Sequence, residues 1–464
     1  MLPLVPLLFL QAGAYQQGVQ AYVQHRFADA IPFFEKAAST EGSQALAARY
    51  MLGNACLQAH QDDKAIAAFA ALFEVRPESA AAHLLTAEMM LRLDLADDAA
   101  REARRALALD PHIPQAHYVV GEASRSAAEL RQEIAQNPNF AGTYYRLGEA
   151  LERQGSWDDA IATLERAIWL NPNHIGPYLL IGEAYLQQGD VDDAQAAARH
   201  ALEVNPQDPV AQRLLARSKD AKAGAPPALD PDFAKGRTEY LAGHILAALP
   251  LLEKARAKGV HDVELFFMLG NSYLRSRQVP KARAAFAELF GVPAESGAAH
   301  LFTAQMLMRL ELEDDAQKEL DAALERDPKL PQAHFMAGEL AIYRAQIDRA
   351  AEELSREIAL NPGFAMAYYR LGDAYTRRED WVHAVPPLQR AIWLNPTYSG
   401  PYILLGKAYS KKGDLPEAER MLRRALQMDP RNASALYLLG RTLIQAGRPE
   451  EGKKLLQQWE ALKK

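Results

Sequence analysis

The chain has 464 residues, of which 49% are hydrophobic and 24% charged, with a net charge of −7. This length exceeds what one globular core usually holds, so we expect several domains or an array of repeats. The mildly acidic balance lacks the basic excess that is typical of a general nucleic-acid binder. The only cysteine, Cys56, excludes an intrachain disulfide and a cluster of thiolate metal ligands, and we expect it to be a small buried residue.

The first 14 residues, MLPLVPLLFLQAGA, are apolar up to Gln11 and end in Ala-Gly-Ala. A short apolar run before Ala-x-Ala is typical of a secretory signal peptide with cleavage after Ala14. No Lys or Arg precedes the run, and Pro3 and Pro6 interrupt it, which favours an irregular N-terminus instead. The sequence therefore predicts a periplasmic or secreted protein if the signal is genuine, and a cytoplasmic one otherwise. No segment is long and apolar enough for us to expect an integral membrane span.

The rest of the sequence consists of two similar copies. The segment that starts at Met51 returns from Met268, and LERAIWLNP from Leu164 returns as LQRAIWLNP from Leu388. Inside each copy runs a shorter period of about 34 residues. A chain built from one small stacking unit forms a long surface, and such surfaces bind partners.

One unit, from Tyr144 to Pro172, shows how the repeat folds. Tyr144, Leu147 and Leu151 recur at steps of three and four residues, so they share one face of a helix. Gly155 ends this helix, because glycine adopts the left-handed conformation at little cost. A second amphipathic helix then runs to Pro172, which cannot continue it. The unit is a helical hairpin whose apolar faces are buried only between stacked neighbours.

These spacings resemble the tetratricopeptide repeat (TPR) family, whose pattern is aromatic, Leu, Gly or Ala, aromatic, then Ala, large apolar, Ala and Pro. In the first copy it is carried by Tyr144, Leu147, Gly148, Leu151, Ala160, Leu164, Ala167 and Pro172, and in the second by Tyr368, Leu371, Gly372, Tyr375, Ala384, Leu388, Ala391 and Pro396. A phased series of about a dozen such units is a specific signal. The resemblance implies an all-α fold, a TPR-like right-handed α-solenoid of stacked helical hairpins in two duplicated lobes.

The duplication predicts the domain organisation. A first array spans residues 15–222 and ends in a capping helix, residues 223–232 form a linker rich in Pro, Gly and Asp, and a second array spans residues 233–464. The first copy is short by about seven residues, or two helical turns, between Gly121 and Asn137. We therefore expect a clipped hairpin at this point.

No catalytic or metal-binding pattern accompanies the repeats. The sequence contains no His-Glu-x-x-His, no phosphate-binding loop and no nucleophile elbow. His83 and His300 occupy equivalent repeat positions, as do His117 and His334, which favours structural roles over metal ligation. We predict no catalytic residues, no cofactor and no metal site in this chain.

The TPR resemblance implies that the first helix of each hairpin lines a concave groove, with the fifth and ninth residues of the unit facing it. The candidates at position five are Tyr50, Leu84, Tyr118, Tyr145 and Leu179, then Phe267, Leu301, Phe335, Tyr369, Ile403 and Tyr437. Those at position nine are Asn54, Glu88, Glu122, Glu149 and Glu183, then Asn271, Gln305, Glu339, Asp373, Lys407 and Arg441. Aromatic residues beside carboxylates suit a peptide with apolar anchors and Lys or Arg. The alternative is that position five is packing and position nine a solvated face.

We therefore predict a non-catalytic scaffold that binds proteins or peptides in this groove and does not bind nucleic acid. An alternative from another class is the regulatory or substrate-recruiting subunit of an enzyme complex whose catalytic residues lie on another chain. A further possibility is self-association through the C-terminal helix, by Leu455, Leu456 and Trp459.

Overall fold

The computed structural model describes residues 13–40, 43–221 and 229–462. Within these ranges the chain forms 27 helices and no strand, which confirms the predicted all-α class. Residues 1–12 of the predicted signal peptide, residues 223–228 of the predicted linker and the basic C-terminal pair lie outside the described residues. Among the described helices, none has the length and apolar character needed to cross a membrane.

The helices follow one another in hairpins along both copies. The first copy contains α1 (Ala14–Val23), α2 (Phe27–Ala38), α3 (Ser43–Gln58), α4 (Asp62–Phe73), α5 (Ala80–Arg92), α6 (Ala96–Leu109), α7 (Ala116–Ser124), α8 (Ala127–Gln136), α9 (Ala141–Arg153), α10 (Trp157–Leu170), α11 (Ile175–Gln188), α12 (Val191–Val204) and α13 (Pro209–Asp220). The second contains α14 (Pro231–Leu241), α15 (Ile245–Ala257), α16 (Val263–Arg275), α17 (Val279–Phe290), α18 (Gly297–Arg309), α19 (Glu313–Arg326), α20 (Ala333–Tyr343), α21 (Ile347–Leu360), α22 (Ala365–Arg377), α23 (Trp381–Leu394), α24 (Ser399–Lys412), α25 (Leu415–Met428), α26 (Ala433–Gln445) and α27 (Pro449–Ala461).

A glycine in the first helix lets the two helices of a hairpin cross closely. A Cβ atom placed on Gly148 of α9 would lie 2.5 Å from Cγ of Leu164 in α10. The equivalent Gly372 and Leu388 show the same 2.5 Å separation in the second copy. A side chain at Gly148 or Gly372 would have to displace the facing leucine, so glycine allows the close approach of these two hairpins. Gly155, at φ +74°, ends α9 as predicted.

The predicted clipped hairpin is present. Helices α7 and α8 have 9 and 10 residues, whereas their counterparts α20 and α21 have 11 and 14. The missing residues are thus removed from both helices, and the hairpin remains. Helix α9 then restarts the repeat at Ala141.

The described residues divide into two compact units that do not follow the boundary between the copies. Unit 1 comprises the chain up to Ile113 and from Ala337 onward, and unit 2 comprises Pro114–Met336. Each unit therefore contains part of both sequence copies. The array boundaries inferred above describe the sequence duplication and stay a prediction.

Residues of both copies form the core of unit 2. One hydrophobic cluster joins Tyr144 and Leu170 of the first copy to Phe266, Phe286 and Phe302 of the second. In unit 1 the first and second copies likewise meet where the ring of Phe73 packs edge-on against Tyr368, at a centroid distance of 6.1 Å. The apolar faces left open by the hairpins of one copy are thus covered by hairpins of the other.

Candidate partner-binding surfaces

Two of the predicted groove positions are occupied by a tryptophan of the same chain. In unit 2, the indole of Trp169 stacks on Phe267 with the ring centroids 4.6 Å apart and the planes 5° from parallel. In unit 1, Trp393 stacks on Tyr50 at 5.3 Å and 11°. Tyr50 and Phe267 are equivalent residues of the two copies, and so are Trp169 and Trp393. The same contact between the copies is therefore made twice.

An arginine beside each stack binds the end of the helix that carries the tryptophan. In unit 2, Arg309 donates from Nη1 to the carbonyl of Trp169 at 2.6 Å and from Nη2 to that of Leu170 at 3.0 Å. In unit 1, Arg92 donates to the carbonyls of Trp393 and the next residue. These carbonyls end α10 and α23, where a helix has no donors of its own for its last four acceptors. The guanidinium supplies donors and a charge that complements the helix dipole.

The helix that carries each tryptophan also carries an arginine that caps a helix end of the other copy. Arg166 donates from Nε to the carbonyl of Leu289, near the end of α17, at 2.9 Å. Arg390 does the same to Leu72, near the end of α4, at 2.9 Å. Arg390 also lies 2.5 Å from a carboxylate oxygen of Glu74. The second copy has a glycine at the position equivalent to Glu74.

We refer to these two sets as the inter-copy contacts. That of unit 1 consists of Tyr50, Leu72, Glu74, Arg92, Arg390, Trp393 and Leu394; that of unit 2 consists of Arg166, Trp169, Leu170, Phe267, Leu289 and Arg309. Sequence reasoning missed them. A signal was present, because RAIWLNP is identical in both copies, at residues 166–172 and 390–396.

Other groove candidates assemble into an aromatic–arginine cluster in unit 2. The Tyr145 ring meets His174 edge-on at 4.8 Å, and the guanidinium carbon of Arg146 lies 5.5 Å from the Tyr145 centroid. Arg146 binds Glu122 at 2.5 Å and Glu149 at 3.1 Å. Burial, followed by the charge of Arg146, lowers the pKa of His174. Tyr145 remains half-buried, so part of this residue is exposed.

Unit 1 contains an equivalent cluster. The Tyr369 ring meets Tyr398 edge-on at 5.2 Å, and the guanidinium carbon of Arg370 lies 5.4 Å from the Tyr369 centroid. Arg370 binds Glu339 at 2.8 Å and approaches Asp373 at 3.8 Å. Burial raises the pKa of the Tyr369 hydroxyl, and Tyr398 raises it further. The two copies thus place the same aromatic residue, arginine and carboxylates on corresponding first helices.

The predicted acidic row is largely paired with arginines of the same chain. Besides the pairs of Arg146 and Arg370, Glu183 binds both terminal nitrogens of Arg217, at 2.5 and 3.0 Å. The Glu88 carboxylate lies against Gly363. Sequence reasoning identified these carboxylates but not their partners, because the arginines that bind Glu122, Glu183 and Glu339 lie in other repeats.

The remaining candidates divide between packing and exposure. Leu84, Leu301, Phe335 and Ile403, all at position five, are buried, as the packing alternative expects, whereas Asn54 at position nine is buried instead of solvated. Tyr118 packs edge-on against Phe140, Asn271 donates to the Tyr240 hydroxyl, Gln305 donates to the Leu170 carbonyl and Lys407 lies over Trp381. Leu179 is half-buried, while Tyr437 and Arg441 are exposed.

The C-terminal helix offers less apolar surface than the sequence suggests. Leu455 and Leu456 are partly buried, because Leu455 packs on a core cluster around Leu439 and Leu456 lies against Gly440. Trp459 lies 4.9 Å from the ring of Tyr437. Self-association through this face stays a prediction.

The histidines and the cysteine take structural positions. His83 binds Glu102 at 2.8 Å, and the equivalent His300 binds Glu319 at 2.6 Å. No group of three or more metal-ligating side chains occurs within residues 13–40, 43–221 and 229–462. Cys56 is buried, as expected, and this burial raises the pKa of its thiol to about 11.

Stacked helical hairpins with a glycine at most of the crossings and aromatic residues on the first helices define an α-helical repeat protein. Two family models described as tetratricopeptide repeat match the sequence. One matches residues 10–89, 153–218 and 411–463, and the other residues 113–176, 233–289, 267–331 and 335–399. The protein belongs to the tetratricopeptide repeat family, as its residue pattern predicted.

Comparison with curated protein sequences finds no match. Among solved structures, MamA is 23% identical over 36% of this chain and 91% of its own, with a TM-score of 0.33. YrrB, described as a TPR protein with an unusual peptide-binding site, is 22% identical over 39% of this chain and 93% of its own, at 0.35. Pseudomonas aeruginosa pilF is 17% identical over 43% of this chain and 91% of its own, with a TM-score of 0.37. Because these TM-scores are low, the family assignment rests on the sequence models.

Proposed function

We propose that this protein is a non-catalytic scaffold that binds a protein or peptide through its two aromatic–arginine clusters. The observation that supports this proposal is their repetition. Tyr145 with Arg146 in unit 2, and Tyr369 with Arg370 in unit 1, form the same arrangement on equivalent helices and remain half-buried. TPR repeats generally serve as protein-binding scaffolds without catalysis, which agrees with this assignment.

The cluster of unit 2 favours a partner with basic and apolar residues. Glu149 and Glu152 lie near Tyr145, and Glu183 lies near Glu152. Burial, with the like charges of Glu183 and Glu149, raises the pKa of Glu152 to about 7. A Lys or Arg from a partner would relieve this repulsion, and an apolar side chain would cover the Tyr145 ring. The residue equivalent to Glu152 in the second copy is Thr376, so we expect the second cluster to attract a basic residue less strongly.

Site-specific photo-crosslinking tests the proposal. A photoreactive phenylalanine analogue replaces Tyr145 or Tyr369 in cells of the native source, and mass spectrometry identifies the adducts. The matched control carries the same analogue at Tyr343, a tyrosine with 62% exposure on α20 outside both clusters. The proposal expects one protein captured from Tyr145 or Tyr369 and not from Tyr343, with capture at Tyr145 weakened by Glu152→Lys, because this substitution replaces a carboxylate that would attract a basic partner with a like charge. Equal capture at all three positions would refute the binding surfaces.

A further inference from the structure

A cluster of four carboxylates and one arginine lies where the two copies meet in unit 2. Asp193 of α12 and Glu264 of α16 both bind Arg237 of α14, at 3.1 and 2.8 Å. Glu165 of α10 and Asp262, which caps the start of α16, lie close enough to interact with this group through their charges. Each copy contributes two of the four carboxylates, so the cluster belongs to the contact between the copies.

Glu165 has no partner of opposite charge to itself in this cluster. The guanidinium of Arg237 donates to both carboxylate oxygens of Asp193 and to both of Glu264, whereas Glu165 accepts no hydrogen bond within the described part of the chain. Burial, followed by the like charges of Glu264 and Asp262, raises the pKa of Glu165 well above its ordinary value. Because Arg237 stabilises the charged form of Glu264, we assign the proton to Glu165.

Two further groups face Glu165. Arg166, the next residue of α10, lowers the pKa of Glu165 through its charge, but less than burial and the neighbouring carboxylates raise it. The hydroxyl of Tyr185 in α11 lies near Glu165, and its own pKa is raised by burial and by the charge of Glu165. Neither group offsets the cost of a charge on Glu165.

Unit 1 has uncharged residues at four of the five equivalent positions. The residues equivalent to Glu165, Arg237, Asp262 and Glu264 are Gln389, Val19, Ala45 and Ala47, whereas Asp193 corresponds to Glu417. Gln389 is buried, and its side-chain amide donates to the hydroxyl of Tyr409 at 3.2 Å. A glutamine side chain has nearly the shape of a protonated glutamic acid, so unit 1 holds the neutral form at this place permanently.

The cluster lies one helical turn from the stacked rings of unit 2. Glu165 precedes Trp169 by four residues in α10, and Glu264 precedes Phe267 by three in α16, so each pair shares a helix face. We propose that the contact between α10 and α16 is a proton-sensitive joint, which is strongest while Glu165 is protonated and weakens when Glu165 ionises. The corresponding contact between α23 and α3 in unit 1, with Gln389 in place of Glu165, lacks this sensitivity.

The direction of the pH effect follows from proton binding. The stability that protonated Glu165 contributes is fully present below its unfolded pKa of 4.5 and is lost as the pH rises through its higher folded pKa. Between these two values the closed joint holds one proton more than the opened one. Opening therefore becomes up to about tenfold more frequent for each unit of pH.

Amide hydrogen exchange of the full chain and of its Glu165→Gln variant tests the proposal between about pH 5 and pH 9. Comparing the two proteins at the same pH cancels the intrinsic pH dependence of exchange. We expect α10 and α16 to exchange faster in the unaltered chain than in the variant, by a ratio that grows with pH by up to about tenfold per unit. Helices α3 and α23 should exchange alike in both proteins. A ratio for α10 and α16 that does not change with pH would overturn the proposal.

The matched control is Glu325→Gln, which neutralises an exposed carboxylate of α19 in the same unit. This variant should exchange like the unaltered chain at every pH. If it reproduces the effect of Glu165→Gln, net charge and not Glu165 sets the pH dependence, and the proposal is wrong. If Glu165→Gln does not fold, the unaltered chain decides the question. Its protection of α10 and α16 should fall with pH relative to that of α3 and α23, and constant relative protection would contradict a proton-sensitive joint.

Discussion

At the scale of single residues, the inter-copy contacts depend on arginines that reach across to main-chain carbonyls. Such bonds have no sequence signature at the acceptor, because every residue has a carbonyl. The arginine and the tryptophan could be recognised as retained in both copies, but their targets could not. By contrast, Gly148 and Gly155 act within one hairpin, and their roles followed from spacing alone.

The buried guanidinium of Arg390 is expected to contribute strongly to the stability of unit 1. It is 9% exposed, donates to the Leu72 carbonyl and pairs with Glu74. Arg390→Ala leaves that carbonyl without its donor, so we expect a loss of about 2–4 kcal/mol in the free energy of unfolding. Thermal and urea unfolding followed by circular dichroism measure this.

The matched control for this prediction is Arg277→Ala, whose side chain is 64% exposed and pairs with Asp315 at 3.3 Å. An exposed pair contributes less than about 1 kcal/mol. Equal destabilisation by the two substitutions would show that Arg390 does not make the bonds described.

The thiol of Cys56 is expected to be unreactive in the folded protein. Burial raises its pKa from 9.0 to about 11, and only the thiolate is nucleophilic. At pH 8 a disulfide reagent should label Cys56 only after unfolding in urea. The folded pKa lies above the unfolded one, so this group's contribution to stability is present below pH 9 and is lost as the pH rises towards 11. Rapid labelling of the native protein at pH 8 would contradict the burial.

At the scale of helices, the clipped hairpin is expected to be the less stable member of its pair. Helix α8 buries one apolar residue, Leu130, whereas α21 buries Ala350 and Leu354. Shorter helices with fewer buried apolar contacts open more readily. Amide hydrogen exchange read by mass spectrometry should therefore be about tenfold faster in α7 and α8 than in α20 and α21.

A comparison of unclipped hairpins provides the control for the exchange measurement. Helices α5 and α6 have 13 and 14 residues, as do α18 and α19. These two hairpins should exchange at similar rates. If α7 and α8 are protected as well as α20 and α21, helix length does not set local stability here.

The helices themselves were the most predictable part of the fold, because their signals are local. Pro172 and Gly155 ended helices where expected, and the clipped hairpin followed from an alignment of the two copies. The groove surface was predicted only in part. Tyr145 and Tyr369 remain available to a partner, but Tyr50 and Phe267 are covered by tryptophans from the other copy. Periodicity identifies the face of a helix but not what covers that face.

At the scale of the whole molecule, the two compact units do not coincide with the two sequence copies. Each compact unit contains residues of both copies, and in each unit arginines of one copy cap helices of the other. These arginines and their carbonyl partners are much further apart in the chain than the repeat length of about 34 residues. The repeat pattern therefore could not reveal their pairing. The duplication therefore serves packing between the copies.

The most direct test of this account replaces Tyr50 or Phe267 by a photoreactive phenylalanine analogue in the purified monomer. Because Trp393 stacks on Tyr50 at 5.3 Å and Trp169 on Phe267 at 4.6 Å, irradiation should join position 50 to residues 390–396 and position 267 to residues 166–172. Tryptic mapping by mass spectrometry identifies these adducts. Adducts confined to neighbouring repeats of the same copy, with none to the RAIWLNP segment of the other, would contradict the inter-copy contacts.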